Sequence, residues 1–323
     1  MVFLILFGGY IFTSLVLLRY PHLLHKKKVL KFRAQHISHR GGAAERVENT
    51  MEAFKHAQDV GTDMLEIDCH LTKDGQVVVS HDDILFRTCD CSTLISETNF
   101  EDLPMMKSKV TVDFYQKLCG EGTDRKIPLL EEVFQQFPDM AINIDIKVDK
   151  DELMQKVDEL IRRYNRVEMT AWGNRSDQVC QKLYKLNPNV PLIFSLRRVI
   201  TLIVLFWTGL LPFVNIKESL LEIIVPGIML DADELLNKPL NGKAKVFFWI
   251  MDKLLMRPSL IKHLDDRGIQ TYLWVLNREQ DFKRAFSLGA AGVMSDRIQL
   301  LRDYLDHQVP SSALNHRDEL KQD

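Results

Sequence analysis

Apolar residues fall along this chain in three textures, and each predicts a different kind of element. Short apolar or alternating runs end near residues 39, 68, 146, 172, 195, 231, 276 and 294 and read as strands. Stretches over about 127–137, 150–164, 174–186, 257–267 and 279–287 have apolar residues at helical spacing and lie between them. Eight strands alternating with helices predict an α/β chain folded as a TIM (β/α)8 barrel over residues 35–305. One strand carries an antiparallel arm. The β-branched runs flanking Lys73-Asp74-Gly75 read as a hairpin, since so short a turn cannot join parallel strands. Residues 83–127 read as an insertion over the barrel mouth, and 306–323 as a polar tail.

The third texture is two unbroken apolar runs. Val2 to Leu18 carries no charge and spans about 26 Å as a helix at 1.5 Å per residue. Lys26, Lys27, Lys28, Lys31 and Arg33 follow it. A signal peptide has its positive charges first and a small-residue cleavage site after, so residues 1–20 read as a single-span anchor and 21–34 as a basic juxtamembrane linker. The basic flank places the following domain in the cytosol. Val199 to Val214 is also uncharged. As a second span it would leave strands six to eight across the membrane from strands one to five, so the barrel could not close. It reads instead as a membrane-facing insertion at the barrel mouth, residues 197–226, lying in the bilayer interface with Val246 to Met251 beside it. The plainer reading is a helix on the barrel wall.

Net charge is −2, which gives no footing for nucleic acid. Five cysteines without zinc spacing, two of them at 89 and 91, favour a reducing compartment over a disulfide framework. The chemistry gathers at predicted strand ends. Glu66 and Asp68 are two apart and share a strand face, and the hairpin folds His81 opposite them. His39 and Arg40 precede a sharp turn at Gly41-Gly42, and Asn143, Asp145 and Lys147 share one face of another strand. Carboxylates suit a hard cation, Arg and Lys suit a phosphate, and paired histidines suit acid and base work near neutral pH. Together they point to metal-assisted attack on a phosphodiester.

The motifs His39-Arg40-Gly41, Glu48-Asn49-Thr50, Glu66-Ile67-Asp68, Thr72-Lys73-Asp74-Gly75, His81-Asp82, Asn143 to Lys147, Trp274 to Asn277 and Gly292 to Asp296 occur in that order. In this the chain resembles the glycerophosphodiester phosphodiesterase family, and its hydrophobic N-terminus resembles the membrane-bound lysophospholipase D branch. The resemblance implies a TIM barrel, catalytic His39 and His81, and one divalent metal held by Glu66, Asp68 and Asp145, Mg²⁺ in preference to Ca²⁺. It also implies phosphate contacts from Arg40 and Lys147, and the branch suggests the endoplasmic reticulum. Trp274 is read as a substrate platform, with barrel filling as the alternative, and Asp296 as structural. Three positions depart from the family pattern: Asp145 stands where Glu is usual, Val47 where Pro is common, and Ser295 where Thr is usual. The expected activity is hydrolysis of a lysophospholipid, such as lysophosphatidylcholine or a lyso-N-acylphosphatidylethanolamine, to lysophosphatidic acid. The alternatives are a phosphodiesterase of deacylated substrates such as glycerophosphocholine, and a catalytically silent membrane lipid-binding module.

Overall fold

The computed structural model describes residues 1–113, 115, 117–231 and 240–308. Parallel strands β1 (His36–His39), β2 (Met64–Leu71), β6 (Ala141–Ile146), β7 (Thr170–Gly173), β8 (Leu220–Ile224), β9 (Gln270–Trp274) and β10 (Gly292–Ser295) pair in the order β7-β6-β2-β1-β10-β9-β8. The two ends of this sheet are joined by the segment around residue 192, which bridges Trp172 to Leu192 and Ile193 to Leu220 in parallel. The barrel therefore closes through an eighth, minimal strand position. β3 (Val77–Val79) pairs antiparallel with β2, as the turn at Lys73-Asp74-Gly75 requires.

Strands in such a barrel are covered on both faces, and β2 is buried at all eight positions. Ile37, Met64, Ala141, Ala171, Ile193, Leu220, Tyr272 and Met294 fill the lower interior. The outward-facing residues pack under helices α2 (Met51–Val60), α4 (Leu130–Gln136), α5 (Asp151–Arg163), α6 (Asp177–Leu186), α7 (Leu196–Trp207), α9 (Pro258–Asp266), α10 (Glu279–Ser287) and α11 (Ile298–Gln308). Between β3 and α4 lie a short helix, α3 (Phe86–Cys89), and a hairpin of β4 (Lys109–Thr111) and β5 (Cys119–Glu121), with their own small core around Leu85, Ile95, Met106 and Val110. Helix α8 (Gly242–Leu255) stands between β8 and α9.

Three expectations change. Strand six is Leu220–Ile224, whereas residues 226–231 form a 3-10 turn. The strand starts just past Lys217-Glu218, and Pro226-Gly227 turns the chain into the 3-10 segment where the strand is expected. The segment 197–226 therefore contains a barrel strand. It is also not an insertion at the mouth. α7 starts at the mouth, right after Ser195, buries Val199, Leu202 and Ile203 against the barrel wall, and is followed by a turn at Leu211–Phe213 by the barrel's lower end. Arg267, just before β9, donates to the Leu211 and Val214 carbonyls there. Finally, residues 21–34 are no loose linker. Phe32 and Ala34 are buried in the barrel base, Gln270 donates to the Phe32 carbonyl at 2.7 Å, and the Lys28 ammonium donates to the Lys217 and Glu218 carbonyls, each at 2.7 Å. Burial pulls Lys28 down to about 8. The tail expected at 306–323 lies outside the described residues beyond 308, and residues 306–308 complete α11.

α1 (Val2–Arg19) is the one described helix long and apolar enough to cross a membrane. It rests on the same lower end. Tyr10 stacks on Phe213, Ser14 donates to the Gly209 carbonyl at 2.7 Å, and His263 binds the Leu18 carbonyl at 2.8 Å.

Candidate active site

The candidate side chains gather on the C-terminal halves of the strands and in the loops that follow them, the end where such barrels carry their chemistry. β1 ends at His39, and the chain turns at once through Arg40, Gly41 and Gly42, all with positive φ (51°, 81° and 95°). A Cβ at Gly41 would come within 2.9 Å of the Ala53 Cβ, so the turn lies flat on α2 only with glycine there. α2 itself starts at a Thr50 N-cap whose oxygen accepts from the Ala53 amide. That cap holds Glu48 and Asn49 at the mouth, Asn49 also at positive φ.

Both histidines are held the same way. His39 Nδ1 lies 2.6 Å from Asp296 Oδ1, and His81 Nδ1 lies 2.7 Å from Asp82 Oδ1. A carboxylate can only accept, so each Nδ1 donates, and each Nε2 is left for other chemistry. Asn277 donates to the other oxygen of Asp296 at 2.8 Å, and Arg87 to the other oxygen of Asp82 at 2.8 Å. Burial opposes ionisation of Asp82, but His81 and Arg87 outweigh it and hold that carboxyl down to about 2. Asp296 had been read as structural. Its contact with His39 spans 257 residues of sequence, and no local pattern announces it.

The expected metal ligands lie on neighbouring strands, with Glu66 opposite Asn143 and Asp68 opposite Asp145. Glu66 accepts from the Arg40 amide at 3.0 Å, and His39 Nε2 stands 3.9 Å from the same oxygen. Asp68 accepts from Asn49 at 2.9 Å, and Lys147 Nζ sits between Asp68 (3.2 Å) and Asp145 (2.9 Å). Burial and then the neighbouring Asp68 push Glu66 well above the usual carboxyl range. Asp68 is equally buried, but Lys147 and Arg40 overcome that and hold it far below. Asp145 Oδ1 and Asn143 Oδ1 are buried acceptors without a hydrogen-bond partner. Crowded carboxylates, one of them driven toward its neutral form, beside orphaned oxygens are the donor set a hard cation fits. Among the described residues, however, the group whose candidate ligand atoms all lie within 4.8 Å of one another is His81, Asp82 and Asp113. Arg87 already pairs with both of its carboxylates.

Arg40 is fully buried, and its Nη1 is engaged by Glu48 at 2.9 Å and Asp113 at 3.1 Å, while its Nε has no hydrogen-bond partner. Burial would raise Glu48, yet Arg40 and then Arg87 hold it down to about 2. Asp113 arrives from the 83–127 insertion, just after β4, and ties that insertion to Arg40, Arg87 and His81. Trp274 ends β9, partly buried, above the Tyr272 of the interior layer.

Three residues escaped the sequence reading altogether: Arg87 and Asp113, just described, and Glu222. Glu222 on β8 takes the Asn143 amide nitrogen with both oxygens, each at 2.8 Å. Burial raises its carboxyl to about 8, with only partial relief from that hydrogen bond. It is a lone acid inside an apolar run, and only the correct placement of strand six turns it into the barrel.

The sequence pattern of the glycerophosphoryl diester phosphodiesterase family matches residues 39–300. The chain is 52% identical over 298 residues to human lysophospholipase D GDPD1, covering 92% of this chain and 94% of that protein. It is 40% identical over 310 residues to human lysophospholipase D GDPD3, covering 94% and 95%. An Oleispira antarctica phosphodiesterase, solved in complex with the product sn-glycerol-3-phosphate, shares the fold, with a TM-score of 0.59 at 19% identity over 85% of this chain and 97% of that one.

Proposed function

The chain belongs to the glycerophosphoryl diester phosphodiesterase family and is a phosphoric diester hydrolase; from that premise we propose that it acts on lysophospholipids, freeing the headgroup alcohol and leaving lysophosphatidic acid. One observation carries the reaction type: two imidazoles, each fixed through Nδ1 by an aspartate, keep Nε2 available beside a buried carboxylate group. One Nε2 takes the proton from the attacking oxygen, and the other gives a proton to the leaving alcohol. Asp296 and Asp82 set the tautomers and favour the imidazolium that forms in turn. Glu66, Asp68 and Asp145 would hold a divalent cation, which supplies charge neutralisation at the phosphate. Mg²⁺ is favoured because three carboxylates leave room for the waters it keeps. Lys147 and the Nε edge of Arg40 bind phosphate oxygens, and the Trp274 indole offers a platform for the glycerol or headgroup.

The attacking oxygen is water or the substrate's own glycerol 2-hydroxyl. The internal route gains from proximity and passes through a cyclic phosphate that water then opens. Lysophospholipids have that free hydroxyl. The identity with two lysophospholipase D enzymes over nearly the whole chain supports the acylated substrate. α1, at 18 residues, fits a bilayer about 27 Å thick, which suits the endoplasmic reticulum. The basic residues after it support a cytosolic catalytic domain.

The test is choline release from lysophosphatidylcholine by detergent-purified protein with Mg²⁺, Ca²⁺ or EDTA, run beside glycerophosphocholine. Metal-dependent release, strongest on the acylated substrate, is expected. Release from glycerophosphocholine alone would make this a phosphodiesterase of deacylated substrates. Release from neither would remove the proposal.

A further inference from the structure

The surface of the barrel carries an apolar flank that no part of the catalytic reading uses. On α7, Leu196, Ile200, Val204 and Trp207 fall on one stripe at i, i+4, i+8 and i+11. They are 46%, 53%, 55% and 50% exposed, while the opposite face of the helix is buried. Beside it, α8 exposes Val246, Phe247, Trp249 and Ile250, between 43% and 57% each. The two helices are joined at one end. Trp207 Nε1 donates to the Leu254 carbonyl at 3.1 Å, and the Arg257 guanidinium lies over the Trp207 ring at 5.3 Å. The turn after α7 adds Leu210 and Phe213, each 44% exposed. Phe213 is the residue on which Tyr10 of α1 stacks. The exposed apolar surface is therefore continuous from the candidate anchor to the mouth rim, where Leu196 follows Ser195.

A contiguous exposed apolar patch of this kind needs a covering partner. We propose that the partner is the lipid bilayer itself, and that the barrel lies on this flank with the α7 stripe and α8 set into the headgroup and acyl boundary. The chemistry of the patch selects it. Aromatic and branched aliphatic side chains are interleaved at one end with Lys243 and Lys245 and flanked by Arg257, the arrangement of a monotopic helix on an anionic interface. Continuity with α1 selects it again, because a helix crossing the bilayer would bring the adjoining Phe213 and Leu210 to the membrane surface. The arrangement also resolves an awkward geometry. An anchor bonded to the base would, by itself, hold the mouth away from the lipid. Lying on the flank brings Leu196 and the rim toward the bilayer from which a lysolipid must come. The inference stands on the surface alone and does not need the substrate assignment.

The test uses the full chain in nanodiscs whose phosphatidylcholine and phosphatidylserine carry brominated acyl chains. α1 contains no tryptophan, so any bromine quenching reports on the barrel. Of the four tryptophans, Trp207 and Trp249 lie on the flank, and Trp172 is fully buried. Quenching is expected, and Trp249→Phe should remove about half of it, since Trp207 and Trp249 are the two flank tryptophans, with far-ultraviolet circular dichroism unchanged because the side chain is exposed. Phe247→Ser with Ile250→Ser should weaken it further without touching any tryptophan. Absence of quenching in the unaltered chain would overturn the proposal. So would quenching that Trp249→Phe leaves unchanged, or a dimer in detergent that shields Trp249 from aqueous iodide.

Discussion

The mouth of the barrel and its α7–α8 flank follow opposite rules. At the mouth, buried charged groups find partners almost everywhere: His39 with Asp296, His81 with Asp82, Arg40 with Glu48 and Asp113, Lys147 with Asp68 and Asp145. The few oxygens left without one, on Asp145 and Asn143, mark where something else binds. On the flank, apolar side chains of both helices stand about half exposed, side by side. The difference teaches where to look for ligands. A folded chain tolerates neither buried unpaired charge nor broad exposed hydrophobic surface, and each exception points outward to a different kind of partner.

The comparison can be pressed hardest at the histidines. His39→Ala or His81→Ala should lower turnover by about 10³-fold or more with the fold intact, since each removes a proton carrier. Full activity in either variant, by choline release, would dissolve the catalytic assignment. Asp296→Asn comes next, at roughly 10²-fold or more in kcat, because an amide can turn its nitrogen toward Nδ1 and demand the wrong tautomer. KM should hardly move, and a pH–rate profile should show one limb displaced. A purely structural Asp296 would lower stability and leave that profile alone.

The base offers a contrasting kind of loss. Phe32→Ala empties part of the barrel floor and should cost about 3 kcal/mol of stability, measured by urea unfolding in detergent, while kcat per folded molecule stays near that of the parent. Glu222 sharpens the boundary between the two regions. Its carboxyl is raised from 4.5 to about 8, so the folded state keeps a proton that the unfolded chain has released. That contribution is fully present below pH 4.5 and is lost as pH rises through about 8. Glu222→Gln, compared with the parent in EDTA, should flatten the stability profile across that window. The smallest effect belongs to an exposed pair at neither region: Lys55→Ala, breaking the Lys55–Asp59 contact on α2, should change stability by less than about 0.5 kcal/mol.

Much of this was legible in the sequence because barrel chemistry is written locally. A strand and the turn after it sit within a few residues, so His39, Glu66, Asp68 and Asp145 could be placed toward strand ends from pattern alone. What resisted reading was non-local or masked by composition. Asp296 meets His39 only because β10 lies beside β1. Strand five has no ladder of its own and closes the barrel with single bridges. β8 runs without a break into the apolar residues 225–230 that form the following turn, which blurs where the strand lies, and Glu222 was hidden with it. The segment after Arg19 looked like a basic tether, since charge along a line says nothing about Lys28 folding its ammonium onto two carbonyls under the barrel.

That last contact, with the bonds that Tyr10, Ser14 and the Leu18 carbonyl make, joins α1 to the barrel without slack. In a bilayer such a molecule does not sweep a volume of solution. On the proposed lipid substrate, its encounters would be governed by surface density: molecules of lipid per unit area would set how often the mouth is filled, and diluting the membrane with an inert lipid should slow the enzyme even when the bulk concentration of substrate is unchanged.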